Sequence, residues 1–174
     1  MKGLIVYATS YGTTKQYAEW IAEEVGVETR SYKEVKDSDL QGADFLIIGS
    51  MVLAHRLFLT KWLTTKEALL QGKTLFIYSV SGAKPGDKEL EDIFDTLPEL
   101  LLKGAKTYRF GGKMRFQELS GFHKLLMRIG TLIEKDPETK AEMKKDMKIA
   151  KDNINRAYID TLVQDFKAYR GSRG

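Results

Sequence analysis

Leu4-Ile5-Val6-Tyr7-Ala8-Thr9-Ser10-Tyr11-Gly12-Thr13-Thr14 is the stretch on which the reading of this chain turns. Its first five residues form a short apolar run. Of the next six, Thr9 to Thr14, five carry a hydroxyl and the sixth is glycine. Lys15 to Val25 then places Tyr17, Ala18, Ile21, Ala22 and Val25 on one helical stripe. A strand, a hydroxyl-rich loop and a helix beginning near Thr13 together make a seat for a phosphate monoester held without a cationic side chain. Hydroxyls and loop amides supply the donors, and the positive end of the helix dipole supplies the field. Gly12 lets the backbone curl around the anion with no Cβ in the way.

Other phosphate motifs fail on the same residues. A nucleoside-triphosphate loop needs a second glycine followed by Lys and Ser/Thr, and a dinucleotide fingerprint needs three spaced glycines; one glycine is present here. A phosphorelay receiver needs acidic residues closing its first and third strands, where this chain has Ala8-Thr9 and Gly49-Ser50. An ordinary strand-to-helix turn with Ser/Thr N-caps accounts for two of the hydroxyls but not for five.

Outward from this loop the chain alternates short apolar runs with longer helical patterns, the signature of an α/β sheet with crossover helices. Val27–Tyr32 reads as a partly exposed edge strand. Phe45–Ile48, closed by Gly49-Ser50, and Thr74–Val80 read as central parallel strands, and Lys106–Phe110 as the fifth strand. A helix is expected around Leu59–Leu70. Another is expected over Asp87–Leu102, with Leu90, Ile93, Phe94, Leu97 and Leu101 on one face. Ser81 to Gly86 has plain turn composition. The regularity breaks over 111–153. A glycine-led basic loop, Gly111 to Phe116, precedes an amphipathic helix over Phe122–Ile133 with His123, Lys124 and Arg128 between its apolar residues. Glu134–Asp152 is dense in both charge signs. The last helix has Asp160 as its expected N-cap and Leu162, Val163 and Phe166 as its buried stripe.

At 174 residues the chain is long enough for one well-buried domain and short for two, so 1–174 is expected to form one domain, with 111–153 as an elaboration before the last helix. No run approaches the ~20 apolar residues of a membrane span. The Met-Lys start runs directly into strand without a signal-peptide core, and cysteine is absent; both suit a cytoplasmic protein. Two histidines, His55 and His123, rule out a multi-histidine metal centre. The net charge of +4 is modest, and its cations are dispersed among acids rather than gathered into a basic face with interleaved aromatics, so nucleic-acid binding is not expected.

In an open parallel sheet a ligand sits beyond the carboxyl ends of the strands, where the strand order reverses. Three loops occupy such ends: Thr9–Thr14, Ser50–Phe58 and Ser79–Asp87. The second is unusually apolar for a loop. Its Met51, Val52, Leu53, Leu57 and Phe58 need a surface to cover, a flat heterocycle or the loop's own helix. The third offers Ser79, Ser81 and the amides near Gly82 to the polar edge of a ring. One phosphate, one planar apolar ring and one set of polar ring contacts suggest flavin mononucleotide (FMN).

These residues also carry a family resemblance. The sequence resembles flavodoxins in Leu4 to Thr14 and in Ala43-Asp44-Phe45-Leu46-Ile47-Ile48-Gly49-Ser50. More narrowly, it resembles the flavodoxin-like branch that contains the menaquinone-dependent protoporphyrinogen oxidases, in Phe76-Ile77-Tyr78-Ser79-Val80 and in the glycine-led basic stretch before 122–133. The resemblance implies a flavodoxin-like, doubly wound five-stranded parallel sheet of order 2-1-3-4-5, with helices on both faces and an extra helical segment after strand five. It implies that Thr9, Ser10, Tyr11, Gly12, Thr13 and Thr14 hold the FMN phosphate. Ser50, Met51, Val52 and Leu53 would flank one side of the ring, and Ser79, Val80, Ser81 and Gly82 the other. The tryptophan or tyrosine that stacks on the ring in the family has no counterpart in either flanking loop, where Phe58 and His55 come nearest.

Three functions follow as expectations. The first is an FMN redox protein passing electrons between partners. The second is an FMN enzyme of protoporphyrinogen oxidase type, oxidising a hydrophobic substrate such as a porphyrinogen with menaquinone as acceptor. The third is a flavodoxin fold without cofactor. No catalytic side chain is expected, because the flavin carries the redox chemistry. Around the ring loops His55, Arg56, Lys84 and Lys88 stand against Asp87 and Glu89, a field that favours the reduced, anionic flavin over what an acidic site would do. A stripe such as that of 122–133 ordinarily covers the sheet; its basic neighbours would also suit a partner, or a peripheral membrane contact that reaches a quinone.

Overall fold

Alternation along the first strand decides which side chains meet which helices. In the computed structural model, which describes residues 1–87 and 90–173, β1 (Gly3–Ala8) sends Leu4, Val6 and Ala8 to one face of the sheet and Ile5 to the other. The sheet continues through β2 (Thr29–Ser31), β3 (Phe45–Leu53), β5 (Thr74–Ser81) and β6 (Ala105–Gly111), all parallel, in spatial order β2-β1-β3-β5-β6. This is the expected 2-1-3-4-5 order. The count rises because β4 (Arg56–Leu57) folds back antiparallel on the end of β3.

Each face closes on its own core. On one side Leu46, Ile48, Leu75 and Ile77 pack with Leu40 of α2 (Asp37–Gln41), Leu63 of α3 (Thr60–Thr65), Leu70 of α4 (Glu67–Leu70) and Leu101 of α5 (Glu99–Leu102). On the other side Ile47, Phe76, Tyr78 and Phe110 pack with Tyr17 and Ile21 of α1 (Thr13–Val25) and with Leu162 and Phe166 of α8 (Asp160–Gly171). Each such fully buried side chain contributes about 1.5–3 kcal/mol of transfer free energy. The two helical layers therefore hold the central strands rigid at the edge where ligands bind.

Several sequence expectations change. The helix expected over Asp87–Leu102 is helical only at Glu99–Leu102. Leu90, Ile93, Phe94 and Leu97 are buried as expected, but on successive turns closed by bonds such as Leu97 N–H to Phe94 O at 2.9 Å. Pro98 is the reason: it has no N–H for a helical bond and pushes Leu97 away from the helical region. Lys88 and Glu89 lie outside the described residues. The helix expected around Leu59–Leu70 is two short helices, α3 and α4. Asp160 is the first residue of α8 rather than its cap; the Asn155 side chain accepts from Ala157 N at the 3-10 turn Arg156–Ile159 just before it. α2, whose entry carries Asp37 and Asp39, was not anticipated.

The third strand also differs. It runs past Gly49-Ser50 to Leu53 and turns at Ala54 and His55 before β4, so the expected loop Ser50–Phe58 is a β-hairpin. Both turn residues have positive φ, 51° and 57°. A two-residue hairpin of this hand favours Asn-Gly, and non-glycine residues there are strained by about 1 kcal/mol or more each. Replacing Ala54→Asn together with His55→Gly should therefore raise stability by about 1 kcal/mol in urea unfolding.

Gly49 serves a close approach rather than a turn. A Cβ on it would lie 2.2 Å from the ring of Tyr78, which is wholly buried and stacks on Phe110 at 5.0 Å. Gly49→Ala should lower the denaturant midpoint by the equivalent of about 1–3 kcal/mol.

Candidate functional site

Pairing puts the three loops abreast. Ala8 pairs with Ser50, Ser50 with Ser79, and Ser81 with Gly111, so β1 ends level with Ser50 and Ser79 while β3 runs on to Leu53 and β5 to Ser81 at the same edge of the sheet. The reversal of strand order that makes such an edge a ligand site in open α/β sheets lies between β1 and β3, since β2 is reached on one side of β1 and β3 on the other.

At the first loop, Gly12 takes φ +87°, with nothing within 4 Å of where a Cβ would stand. The Thr9 hydroxyl accepts from Gly12 N at 2.9 Å and fixes the bend. α1 then begins without a side-chain cap and with no acidic residue in its first turn. α6 (Gly121–Ile133) and α7 (Pro137–Asp146), in contrast, are capped by Ser120 and Asp136. The positive end of α1 is thus left for an external anion. Ser10 is exposed and Thr13 half-buried, so both hydroxyls can reach solvent, whereas Thr14 is buried and its carbonyl accepts from the Tyr78 hydroxyl at 3.2 Å. The Tyr11 hydroxyl is engaged elsewhere: it pairs with His123 Nδ1 at 2.5 Å and accepts from Ser120 N at 3.1 Å, the two rings meeting edge to face. Tyr11 can therefore offer an anion its amide but not its hydroxyl.

At the hairpin, the Ser50 hydroxyl is buried and used within the chain, accepting from Leu59 N at 3.1 Å and donating to Met51 O at 2.9 Å. Met51, Val52 and Leu53 are half-buried and supply the apolar wall. His55 and Arg56 are exposed at the tip. Phe58 is exposed and meets Tyr32 edge to face at 5.9 Å. At the third loop Ser79 and Val80 are buried, and the Ser79 hydroxyl faces Tyr108 O at 3.5 Å. Asp87 spends its carboxylate on Lys84 N at 2.7 Å, closing the turn and leaving the Lys84 side chain exposed.

Sequence reasoning did not foresee that the excursion 111–153 completes the third loop. Gly112 N donates to Ser81 O, Asn153 N to Gly112 O, and Asn153 Nδ2 to Gly82 O at 2.8 Å. A Cβ on Gly82 would stand 2.8 Å from Met114 Cβ, so that glycine faces the excursion. β7 (Lys113–Met114) and β8 (Lys151–Asp152) pair antiparallel at its base. An open cleft of about 380 Å³ lies there, lined by Ala83, Lys84, Asp87, Lys151 and Asp152 among others. Gly111 and Gly112 are present for contact: side chains there would strike Asn153 O at 2.4 Å and Ser81 O at 2.9 Å. The signal for this was the glycine pair itself, which reads as a flexible loop unless the returning strand is known.

Tyr17 fastens both ends of the excursion. Its hydroxyl donates to Gly111 O at 2.7 Å and accepts from Asn155 N at 3.1 Å, and burial pushes it up from 10.0 to about 12. The unfolded tyrosine ionises near pH 10 and the folded one near 12, so this stabilisation is whole below pH 10 and is lost as the pH rises between them. Burial raises Tyr78 and Tyr108 as well. Tyr17→Phe should therefore cost about 1–3 kcal/mol near neutrality, by orphaning a carbonyl and an amide, and should make the alkaline decline shallower without abolishing it. Urea midpoints from pH 8 to 11.5 measure both.

A parallel doubly wound sheet, with an uncapped helix and an apolar hairpin at its carboxyl edge, defines a class of α/β proteins that bind a ligand at the switch point. The family model for the flavodoxin domain matches residues 4–141, and the chain belongs to the flavodoxin family. Among solved structures, a flavodoxin from the domain Archaea is similar at 19% identity and TM-score 0.50, over 86% of this chain and 96% of that one. A WrbA-like flavodoxin from Agrobacterium tumefaciens is similar at 17% identity and TM-score 0.52, over 70% and 87%. Oxidised flavodoxin 1 from Bacillus cereus is similar at 17% and 0.50, over 64% and 84%. At these identities the likeness establishes the fold. No curated protein matches the sequence.

Proposed function

We propose that this chain binds FMN at the carboxyl edge of the sheet and passes electrons between redox partners. The observation that carries this reading is the set of donors at the first loop. Ser10 is exposed and Thr13 half-buried, the first amides of α1 have no side-chain cap, Gly12 bends the loop with open space beside it, and no carboxylate between Thr9 and Thr14 repels a phosphate. The donors suit a phosphate monoester, and the hairpin residues Met51, Val52 and Leu53 suit the face of a flavin ring. Ser81 and Gly82 would serve the ring through their backbone. Ser50, Ser79 and Val80 support the walls from within, and Thr14 and Tyr11 contribute through the main chain. Bound FMN supplies the electron storage; the chain positions it, shields one ring face and sets the local charge. Exposed His55, Arg56 and Lys84, with Asp87 committed to its turn, make that charge mildly positive.

Quenching of flavin fluorescence tests this directly. The protein should bind FMN far more tightly than riboflavin, which lacks the phosphate. Ser10→Ala with Thr13→Ala should raise the FMN Kd about 10–100-fold and narrow the gap to riboflavin. Equal affinity for the two flavins sinks the phosphate seat, and no binding of either supports a fold without cofactor.

A second reading, an FMN enzyme oxidising a hydrophobic substrate such as a porphyrinogen with menaquinone as acceptor, is favoured by one feature: the apolar residues of α6 stand exposed beside the first loop. Turnover of protoporphyrinogen with an added menaquinone analogue separates the readings, since an electron carrier gives none.

A further inference from the structure

The side of α6 turned to solvent is its apolar side. Phe122, Leu125, Ile129, Leu132 and Ile133 share one face at helical spacing and are 64, 55, 43, 74 and 72% exposed. Thr131, on the opposite face, is the buried residue, and Lys124 and Met127 beside it are half-buried. A surface helix ordinarily has the reverse arrangement. The expectation that this stripe covers the sheet is therefore wrong: the principal neighbour of α6 is α7, and its first turn is tied to Tyr11.

Charge selects what covers the face. No carboxylate occurs between Gly121 and Ile133, while exposed Arg128 and then Lys135 border the apolar strip; Lys124 is bonded to Gln117 O at 2.8 Å on the other side of the helix. From Gly111 to Asn153 there are ten Lys/Arg against seven Asp/Glu, a net +3 out of +4 for the whole chain. Apolar side chains flanked by cations match an anionic lipid surface, where acyl chains receive the first and headgroups the second. A second copy of the chain is a poorer match, because two α6 helices packed face to face bring the Arg128 of one near that of the other. No helix among the described residues is long and apolar enough to cross a membrane, so the contact lies in the plane of the surface, along a helix about 20 Å long.

We propose that α6 docks this protein on an anionic lipid bilayer, burying Phe122, Leu125, Ile129, Leu132 and Ile133 at the headgroup–acyl boundary with Arg128 at headgroup level. Through the Tyr11–His123 and Tyr11–Ser120 bonds, docking also holds the Thr9–Thr14 loop close to the lipid. The bilayer contact does not need the flavin reading; only the consequence for the loop's occupant rests on it.

Co-sedimentation of the full chain with vesicles tests the proposal, using phosphatidylcholine alone and phosphatidylcholine mixed equally with phosphatidylglycerol. The protein should pellet with the mixed vesicles, much less with the neutral ones, and less as salt rises. Leu125→Ser, Leu132→Ser and Ile133→Ser combined should lower the partition coefficient about tenfold or more. FMN titration and the circular dichroism spectrum of that variant should match wild type, so a failure of docking and a failure of the flavin site are read separately. Arg128→Glu with Lys135→Glu, which leaves the five exposed apolar side chains in place, should weaken binding to the mixed vesicles alone. The proposal is overturned if wild type stays in the supernatant with both vesicles, or if the serine variant pellets as wild type does. It is also overturned if the apolar face proves to join two copies, seen as a dimer that the serine variant disperses while lipid binding is absent.

Discussion

The in-register pairing of β1, β3 and β5 is the constraint from which the rest of the structure follows. With Ala8, Ser50 and Ser79 abreast, the segments that follow β1, β3 and β5 are gathered at one edge of the sheet. A slip of one residue in any strand would turn its inward side chains to the wrong helical layer, and the two cores fix against that. The edge is stiff for a further reason. Tyr78 lies under Gly49 and reaches Thr14, so β3, β5 and the start of α1 share one buried ring.

The excursion after the last parallel strand is integrated at its base and free at its tip. Tyr17, Asn153 and the Gly111-Gly112 pair join it to α1 and to the third loop by bonds that are largely buried. Tyr11 makes a second, exposed connection to the first turn of α6. Two of the three edge loops therefore depend on residues distant in sequence, Tyr11 on Ser120, 109 positions away, and Gly82 on Asn153, 71 positions away. The elaboration is part of how this edge is built, even though the five-stranded sheet is formed without it.

Much of this was legible in the sequence, for identifiable reasons. Buried parallel strands are nearly pure apolar runs, so 45–48 and 74–80 announced themselves, while the edge strand at 106–110 showed only in the alternation of Tyr108 and Phe110 with polar residues. The stripe Leu90, Ile93, Phe94 and Leu97 marked buried positions correctly but not the backbone, because periodicity reports which side chains face inward and Pro98 decides what main chain can carry them. Ser79 was read as a polar group for the edge of a ring and Ser50 as flanking its face, and the hydroxyls of both lie buried with bonds inside the chain. A serine next to a strand end looks the same in both roles. The direction of the α6 stripe was left open between covering the sheet and meeting a partner or membrane, since a helical pattern shows that a stripe exists and not which way it points.

The ends of the excursion are hydrogen-bonded neighbours, Asn153 N to Gly112 O, where the chain both departs and returns. Apart from the Tyr11 bonds to the first turn of α6, what lies between them is held chiefly at this junction, so added length there enters the free energy of folding mainly as the slowly growing entropy of closing a loop. Such a junction is a natural place for an appendage to be gained, trimmed or exchanged during evolution while the sheet beneath stays intact.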